Sequence, residues 1–140
     1  MIEEAIDYRL EEQAGFLLRR ATQRHLAIFA RTVGDLTPPQ FAALCMLHRE
    51  GPMAQSALGV AVAMDAATIK GVIDRLAARG LVALASDPDD RRKVMAQLTH
   101  DGMREVERLL PLAERITAET LAPLSAREAA TLQRLLAKLG

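Results

Sequence analysis

The chain has 140 residues, half of them hydrophobic, with a single cysteine and 18 basic side chains balanced by 18 acidic ones. That length and apolar content suit one folded, mostly helical soluble domain with its own core, and exclude a disordered or disulfide-framed chain. The balanced charge excludes strong indiscriminate attraction to nucleic acid, so any positive field must come from local sorting.

At the N-terminus Glu3, Glu4 and Asp7 stand where a secretory signal would be basic, and no apolar run approaches the roughly 20 residues of a membrane span. Together with the lone Cys45, this places the chain in the cytoplasm, off the membrane. The first helix is expected from about Glu4 to Thr32, with Leu10, Ala14, Leu17, Leu18, Ala21, His25 and Ile28 on one face at three- and four-residue steps. It is too long for a domain of this size to cover, so its ends are expected to meet a second chain. Gly34 closes it.

The second helix starts at a T-x-x-Q capping box, Thr37 to Gln40, with Pro38 at the first helical position and Leu36 and Phe41 set to staple. Phe41, Leu44, Cys45 and His48 share a face, and Gly51-Pro52 ends the helix. A short helix follows from Gln55 to Val62. The next starts at Asp65 as N-cap, buries Ile69, Val72, Ile73, Leu76 and Ala77, and stops at Gly80. Leu81–Ala85 and Val94–Thr99 read as two strands joined by an Asp/Pro-rich turn. Thr99 opens a long helix to about Leu121 that contains Pro111, where a kink or a lost hydrogen bond is expected. Pro123 ends it. Ser125 to Glu128 is a second capping box, and Leu132, Leu135, Leu136 and Leu139 carry the last helix.

Helix, sharp turn, helix, strand, charged turn, strand is the sequence form of a winged helix-turn-helix, which sets a helix in the DNA major groove beside a β-hairpin. The expected fold class is therefore mostly α with a small β-hairpin (α+β). The chain is expected to be one domain over 1–140, with a winged core at 36–100 and dimerisation helices at 4–34 and 101–140. The apolar faces at the two ends exceed what that core can cover. They most simply cover each other across a two-fold axis, giving a homodimer with two reading heads for a pseudo-palindromic duplex.

On the reading helix the face opposite the buried stripe holds Ala66, Ala67, Thr68, Lys70, Gly71, Asp74 and Arg75. The small residues permit close approach to base edges. Thr68 can bond a base edge or touch a thymine methyl, and Lys70 can reach guanine acceptors or a phosphate. At the hairpin tip stand Asp90, Arg91, Arg92 and Lys93. A narrow minor groove attracts an inserted arginine, and Asp90 can orient one guanidinium through a bidentate pair. The plain alternatives are a solvated Ala-rich helix face and an ordinary polar turn. Cap, stop and hairpin in register favour the reader. Between residues 65 and 100, six basic side chains face five acidic ones, so binding has to come from placed contacts.

Asp74-Arg75-Leu76, Arg79-Gly80-Leu81-Val82, Asp87-Pro88-Asp89-Asp90-Arg91-Arg92, Leu98-Thr99 and Gly102 together resemble the signature of the MarR family. The resemblance covers about residues 35–102, and the flanking helices by pattern. It implies a dimeric winged-helix transcription regulator, commonly a repressor relieved by small phenolic or aromatic ligands. It implies that Arg92, beside Asp90, enters the minor groove and that the helix from Asp65 to Arg79 reads the major groove. Many members have Thr-Arg where this chain has Lys70-Gly71, so the reading contact is expected to shift to Lys70. Gly15 to Ala21, followed by Gln23-Arg24-His25, is similar to members that control aromatic-acid catabolism.

Family pockets lie between the dimer helices and the winged domain, where Phe16, Arg20, His25, Phe41, Cys45 and His48 can line a slot. An apolar slot with one guanidinium or imidazole suits a small aromatic acid or its CoA thioester. The alternative is that the two phenylalanines are core and His25 a satisfied buried histidine. Cys45 lies mid-helix with no adjacent cation, a poor setting for a reactive thiolate, though oxidation at Cys45 remains a rival switch. Cys45 and His48 stand three apart on a helix, with His25 as a possible third metal ligand, but no metal or other cofactor is expected. No phosphate loop, nucleophile elbow or paired-carboxylate site marks an enzyme. With no Trp and one Tyr, a base-stacking platform is disfavoured. The rival from another class is a winged helix that binds protein and never DNA.

Overall fold

Four of the helices start where the sequence supplies a side-chain acceptor for their free N–H groups. The computed structural model describes residues 4–140, so Glu3 lies outside them. The Thr37 hydroxyl accepts from the Gln40 backbone N–H at 3.3 Å while the Gln40 side chain accepts from the Thr37 N–H at 3.1 Å, opening α2 (Pro38–Glu50). The Asp65 carboxylate accepts from the Thr68 N–H at 2.7 Å and opens α4 (Ala66–Ala78). Thr99 caps α5 (His100–Thr120) through the Gly102 N–H, and Ser125 with Glu128 closes a reciprocal box at α6 (Ala126–Leu139). Gly34, Gly51 and Gly80, which follow α1 (Ala14–Val33), α2 and α4, all have φ between 75° and 80°, a region glycine enters without steric cost.

Two compact units result. The unit from Val33 to Arg115 holds α2, β1 (Met53–Ala54), α3 (Gln55–Ala61), α4, β2 (Val82–Ser86), β3 (Val94–Leu98) and most of α5. Its antiparallel sheet has the order β1-β3-β2, with Val82 opposite Leu98, Ser86 opposite Val94 and Met53 opposite Ala96. Leu44, Leu47, Leu58, Ile69, Ile73, Leu76, Val106 and Leu109 are fully buried in it. Burying each such side chain contributes about 1.5–3 kcal/mol. The axes of α3 and α4 bend by 108° at their break. The turn between them carries Ala63 at φ 57°, and the Met64 N–H donates back to the Gly59 carbonyl at 2.8 Å. A Cβ on Gly59 would sit 3.1 Å from both the Ile69 side chain and the Met64 carbonyl, so glycine lets the two helices pack closely.

The second unit joins the chain up to Thr32 with Ile116–Gly140. Ile28, Phe29 and Ile116 are buried in it. Arg24 donates to the Glu119 and Thr120 carbonyls at 2.7 and 3.4 Å, satisfying acceptors that the end of α5 leaves open. Arg31 pairs with Glu119. His25 Nδ1 lies 3.0 Å from the Thr120 hydroxyl. No residue of α6 is buried, and Leu132, Leu135, Leu136 and Leu139 are 36–75% exposed.

Several expectations are corrected. The first helix begins at Ala14, not Glu4: a 3₁₀ turn spans Leu10–Glu12, and Gln13 is extended. Ile6, Tyr8 and Leu10 are 90, 67 and 55% exposed, so the apolar pattern ahead of the helix finds no surface in this chain to hold it helical. The strand β1 was not anticipated, because two residues carry no periodicity and their pairing with β3 is long-range. The first hairpin strand is shifted by one residue, to Val82–Ser86, and the second starts at Val94 as expected but ends at Leu98. Pro111 lies within an uninterrupted α5, where its missing N–H costs the bond to the Glu107 carbonyl.

Candidate nucleic-acid interface

The exposed face of α4 follows from its buried one. Ile69, Val72, Ile73 and Leu76 point inward, which leaves Ala66, Ala67, Thr68, Lys70, Asp74 and Arg75 exposed and Gly71 half-buried. This face carries small side chains in the first turn and charges one turn later. Arg79 anchors the far end of the helix by donating to the Asp35 carbonyl at 2.9 Å and pairing with its carboxylate at 3.0 Å. Lys70 is not free: its ammonium pairs with Asp74 at 2.7 Å, one helical turn away. Both partners are about half-exposed or more, so the pair contributes little stability and yields readily to a phosphate or base. Arg75 lies back along the helix, with Nη1 3.5 Å from where a Gly71 Cβ would be.

The hairpin tip is built by aspartates. Asp87 accepts from the Asp89 N–H at 2.8 Å, and Asp90 Oδ1 accepts from the Arg92 N–H at 3.0 Å. Backbone bonds from Asp87 to Lys93 and from Lys93 to Asp90, both 3.0 Å, close the loop. The bidentate Asp90–Arg92 pair expected from the sequence does not form. Asp90 spends Oδ1 on the backbone, and Arg92 Nε reaches the same oxygen at only 3.5 Å. The Arg92 side chain is 94% exposed and projects into solvent. Arg92 and Lys93 border a polar depression with Ala54, Gln55 and Ser56, so β1 and the start of α3 back the wing.

The residues considered for a small ligand divide between the two units. Arg20 lies 6.0 Å from the Phe16 ring centroid, a cation–π contact at an exposed site. His25 borders an apolar groove of about 610 Å³ with Leu17, Leu18, Leu132, Leu135 and Leu136. Cys45 and His48 line a separate depression of about 490 Å³ with Met46, Arg49, Val62 and Leu110. Phe41 is half-buried at the start of α2. Burial pushes the Cys45 thiol up, away from the thiolate that oxidation requires. Among the described residues no group of three His, Cys, Asp or Glu is placed to hold a metal ion. Arg24, which the sequence marks only within the Gln23-Arg24-His25 resemblance, holds the end of α5. Its signal, a long cation in mid-helix, is indistinguishable there from a solvated charge.

A two-helix turn bent near a right angle, with a three-stranded wing carrying basic residues at its tip, defines a winged helix-turn-helix protein. The MarR family profile matches residues 36–94. The transcriptional repressor NicR of Pseudomonas putida is 44% identical over 134 residues, covering 94% of this chain and 85% of NicR. The crystal structure of a probable transcriptional regulator from Pseudomonas aeruginosa is 50% identical with a TM-score of 0.90, covering 94% of this chain and all of that one. The structure of BpsR from Bordetella bronchiseptica, whose DNA binding is regulated by 6-hydroxynicotinic acid, is 46% identical with a TM-score of 0.91, covering 96 and 97% of the two chains. The chain belongs to the MarR family; it is a DNA-binding transcription regulator and not an enzyme.

Proposed function

We propose that the protein is a cytoplasmic homodimeric repressor that binds a pseudo-palindromic operator and is released by a small aromatic acid or its CoA thioester. The observation that carries this is the exposed α4 face lying beside a wing whose Arg91, Arg92 and Lys93 are held out by aspartate-built turns. Residues 36–100 form the reading core. α1, α5 and α6, within the segments 4–34 and 101–140, carry the dimer contact, supported by the exposed leucines of α6. Ala66, Ala67, Thr68, Lys70, Gly71 and Arg75 face the major groove, and Asp90, Arg91, Arg92 and Lys93 form the wing contact.

Similarity to NicR supports repression, and similarity to BpsR supports an effector of the hydroxypyridine-carboxylate kind. Phe16, Arg20, His25, Phe41, Cys45 and His48 are the candidates to recognise it, the cation or imidazole meeting the carboxylate. An effector can release the operator only by binding one dimer conformation more tightly than the other. The raised Cys45 thiol disfavours an oxidation switch.

The test is titration of the purified protein onto duplex DNA from upstream of its own gene, at two salt concentrations, with and without 6-hydroxynicotinic acid and a panel of benzoates and CoA thioesters. Saturable, salt-dependent binding abolished by one of them is expected. Binding tightened or untouched by every acid would overturn the effector scheme. No binding there, and none in a selection from random sequence, would leave a protein-binding winged helix instead.

A further inference from the structure

The basic side chains on the reading helix are not equivalent. Lys70 is tied to Asp74, so those two charges cancel on the helix surface. Arg75 is exposed, and among the described residues no ion pair or side-chain hydrogen bond holds its guanidinium. Helical side chains lean toward the N-terminus, onto the residue four positions back. For Arg75 that residue is Gly71. The guanidinium lies across it, with Nη1, Cζ and Nη2 at 3.5, 3.9 and 4.0 Å from an ideal Gly71 Cβ. The arginine therefore starts in the second half of α4 but presents its charged end at the level of residue 71, in the first half. A recognition helix meets base edges with its N-terminal residues. The side chains ahead of that point, Ala66 and Ala67, are small enough to let the helix close on the groove.

We infer that Arg75, laid in the notch that Gly71 leaves, is the base-reading side chain of α4, and that its partner is a guanine in each half-site. The inference rests on the DNA-reading function proposed above. The guanidinium fork presents two parallel N–H donors that match O6 and N7 of guanine, a match no lysine ammonium reproduces. Gly71 is then the specificity-determining position. A Cβ there makes ordinary contact with the guanidinium, whereas a branched side chain lifts it off the helix. Lys70, shared with Asp74, serves affinity more than discrimination.

The test starts from the operator that the full-length protein enriches from a random duplex library. Each guanine in a half-site is then replaced singly by 7-deazaguanine, which lacks the N7 acceptor. The wild-type protein is expected to lose about tenfold in affinity at one guanine per half-site. Arg75→Ala, checked for fold and oligomeric state, is expected to bind more weakly and to be indifferent to that replacement, within about twofold. Lys70→Ala should keep the full penalty, and Gly71→Val should lose most of it. A penalty undiminished in Arg75→Ala, or abolished only in Lys70→Ala, would overturn the assignment while leaving the DNA reader in place. Failure of the wild-type protein to enrich any sequence would instead overturn the DNA-reading function itself.

Discussion

Gly102 shows how one missing side chain fixes a joint. A Cβ at that position would overlap the Leu81 carbonyl oxygen and lie 3.0 Å from its carbon, and both are backbone that cannot swing aside. The same carbonyl accepts the Thr99 N–H at 3.1 Å, and the Thr99 hydroxyl donates to the Gly80 carbonyl at 2.6 Å. The start of α5 is thereby pinned to the start of β2. Gly102→Ala should destabilise the protein by about 2 kcal/mol or more, read as a lower urea midpoint, because overpacking against backbone has no soft partner to absorb it. A midpoint within error of wild type would show that this joint relaxes freely.

Asp65 makes a prediction in acid. Hydrogen bonds from Thr68 hold its carboxyl below the ordinary value of 3.8. A group whose folded pKa is depressed contributes stability above its unfolded pKa and loses it as pH falls through the folded value. The first turn of α4 should therefore lose amide-exchange protection as pH drops from about 4 downward, and Asp65→Asn, which keeps the acceptor without the charge, should remove that dependence. An unchanged acid profile in Asp65→Asn would assign the loss to other carboxylates. Residue-scale features of this kind are half legible in sequence. Asp65 and Thr37 announce themselves by type and spacing. That Arg75 folds over Gly71, or that Gly102 is tight against Leu81, depends on three-dimensional neighbours that no spacing rule names.

Among the elements, the wing separates two physical accounts of the same aspartate. Asp90 is a negative charge beside the proposed minor-groove contact, so simple electrostatics says that removing it should strengthen DNA binding. Its Oδ1 also accepts the Arg92 N–H at 3.0 Å and shapes the tip from which Arg92 projects. Losing a bond of that kind costs about 1 kcal/mol, much of it as disorder in the loop. Asp90→Ala should therefore weaken operator binding by about fivefold at fixed salt, whereas Asp90→Asn, which retains an acceptor, should bind at least as well as wild type. Tighter binding by Asp90→Ala would make charge, not loop order, the controlling term. Elements bounded by caps, left-handed glycines and turn residues follow closely from sequence, as α2, α4 and α6 do. The misjudged elements are those set from a distance. β1 exists because β3 offers it an edge, and the helix expected from Glu4 forms only from Ala14.

For the whole molecule, zero net charge has to be reconciled with binding a polyanion. The reconciliation lies in placement: Lys70, Arg75, Arg91, Arg92 and Lys93 are exposed on α4 and the wing tip, while among their acidic neighbours Asp65, Asp87 and Asp90 each turn a carboxylate oxygen to a backbone N–H. If Arg75 reads a base and Arg92 enters the minor groove, three basic side chains per protomer are left for phosphates. A dimer then neutralises about six phosphates, and log K should fall against log salt with a slope of about −5. A monomer should show half that slope. Leu135, 43% exposed beside the apolar groove of α1 and α6, supplies the means to compare them. Leu135→Glu puts a charge into the surface proposed to cover a second copy, where an unpaired carboxylate is strongly disfavoured. It should shift the protein to monomer in sedimentation, reduce operator affinity by orders of magnitude and bring the slope to about −2.5. A variant that stays dimeric, or a monomer that keeps the full slope and affinity, would mean that the exposed leucines of α6 serve some purpose other than joining two reading heads.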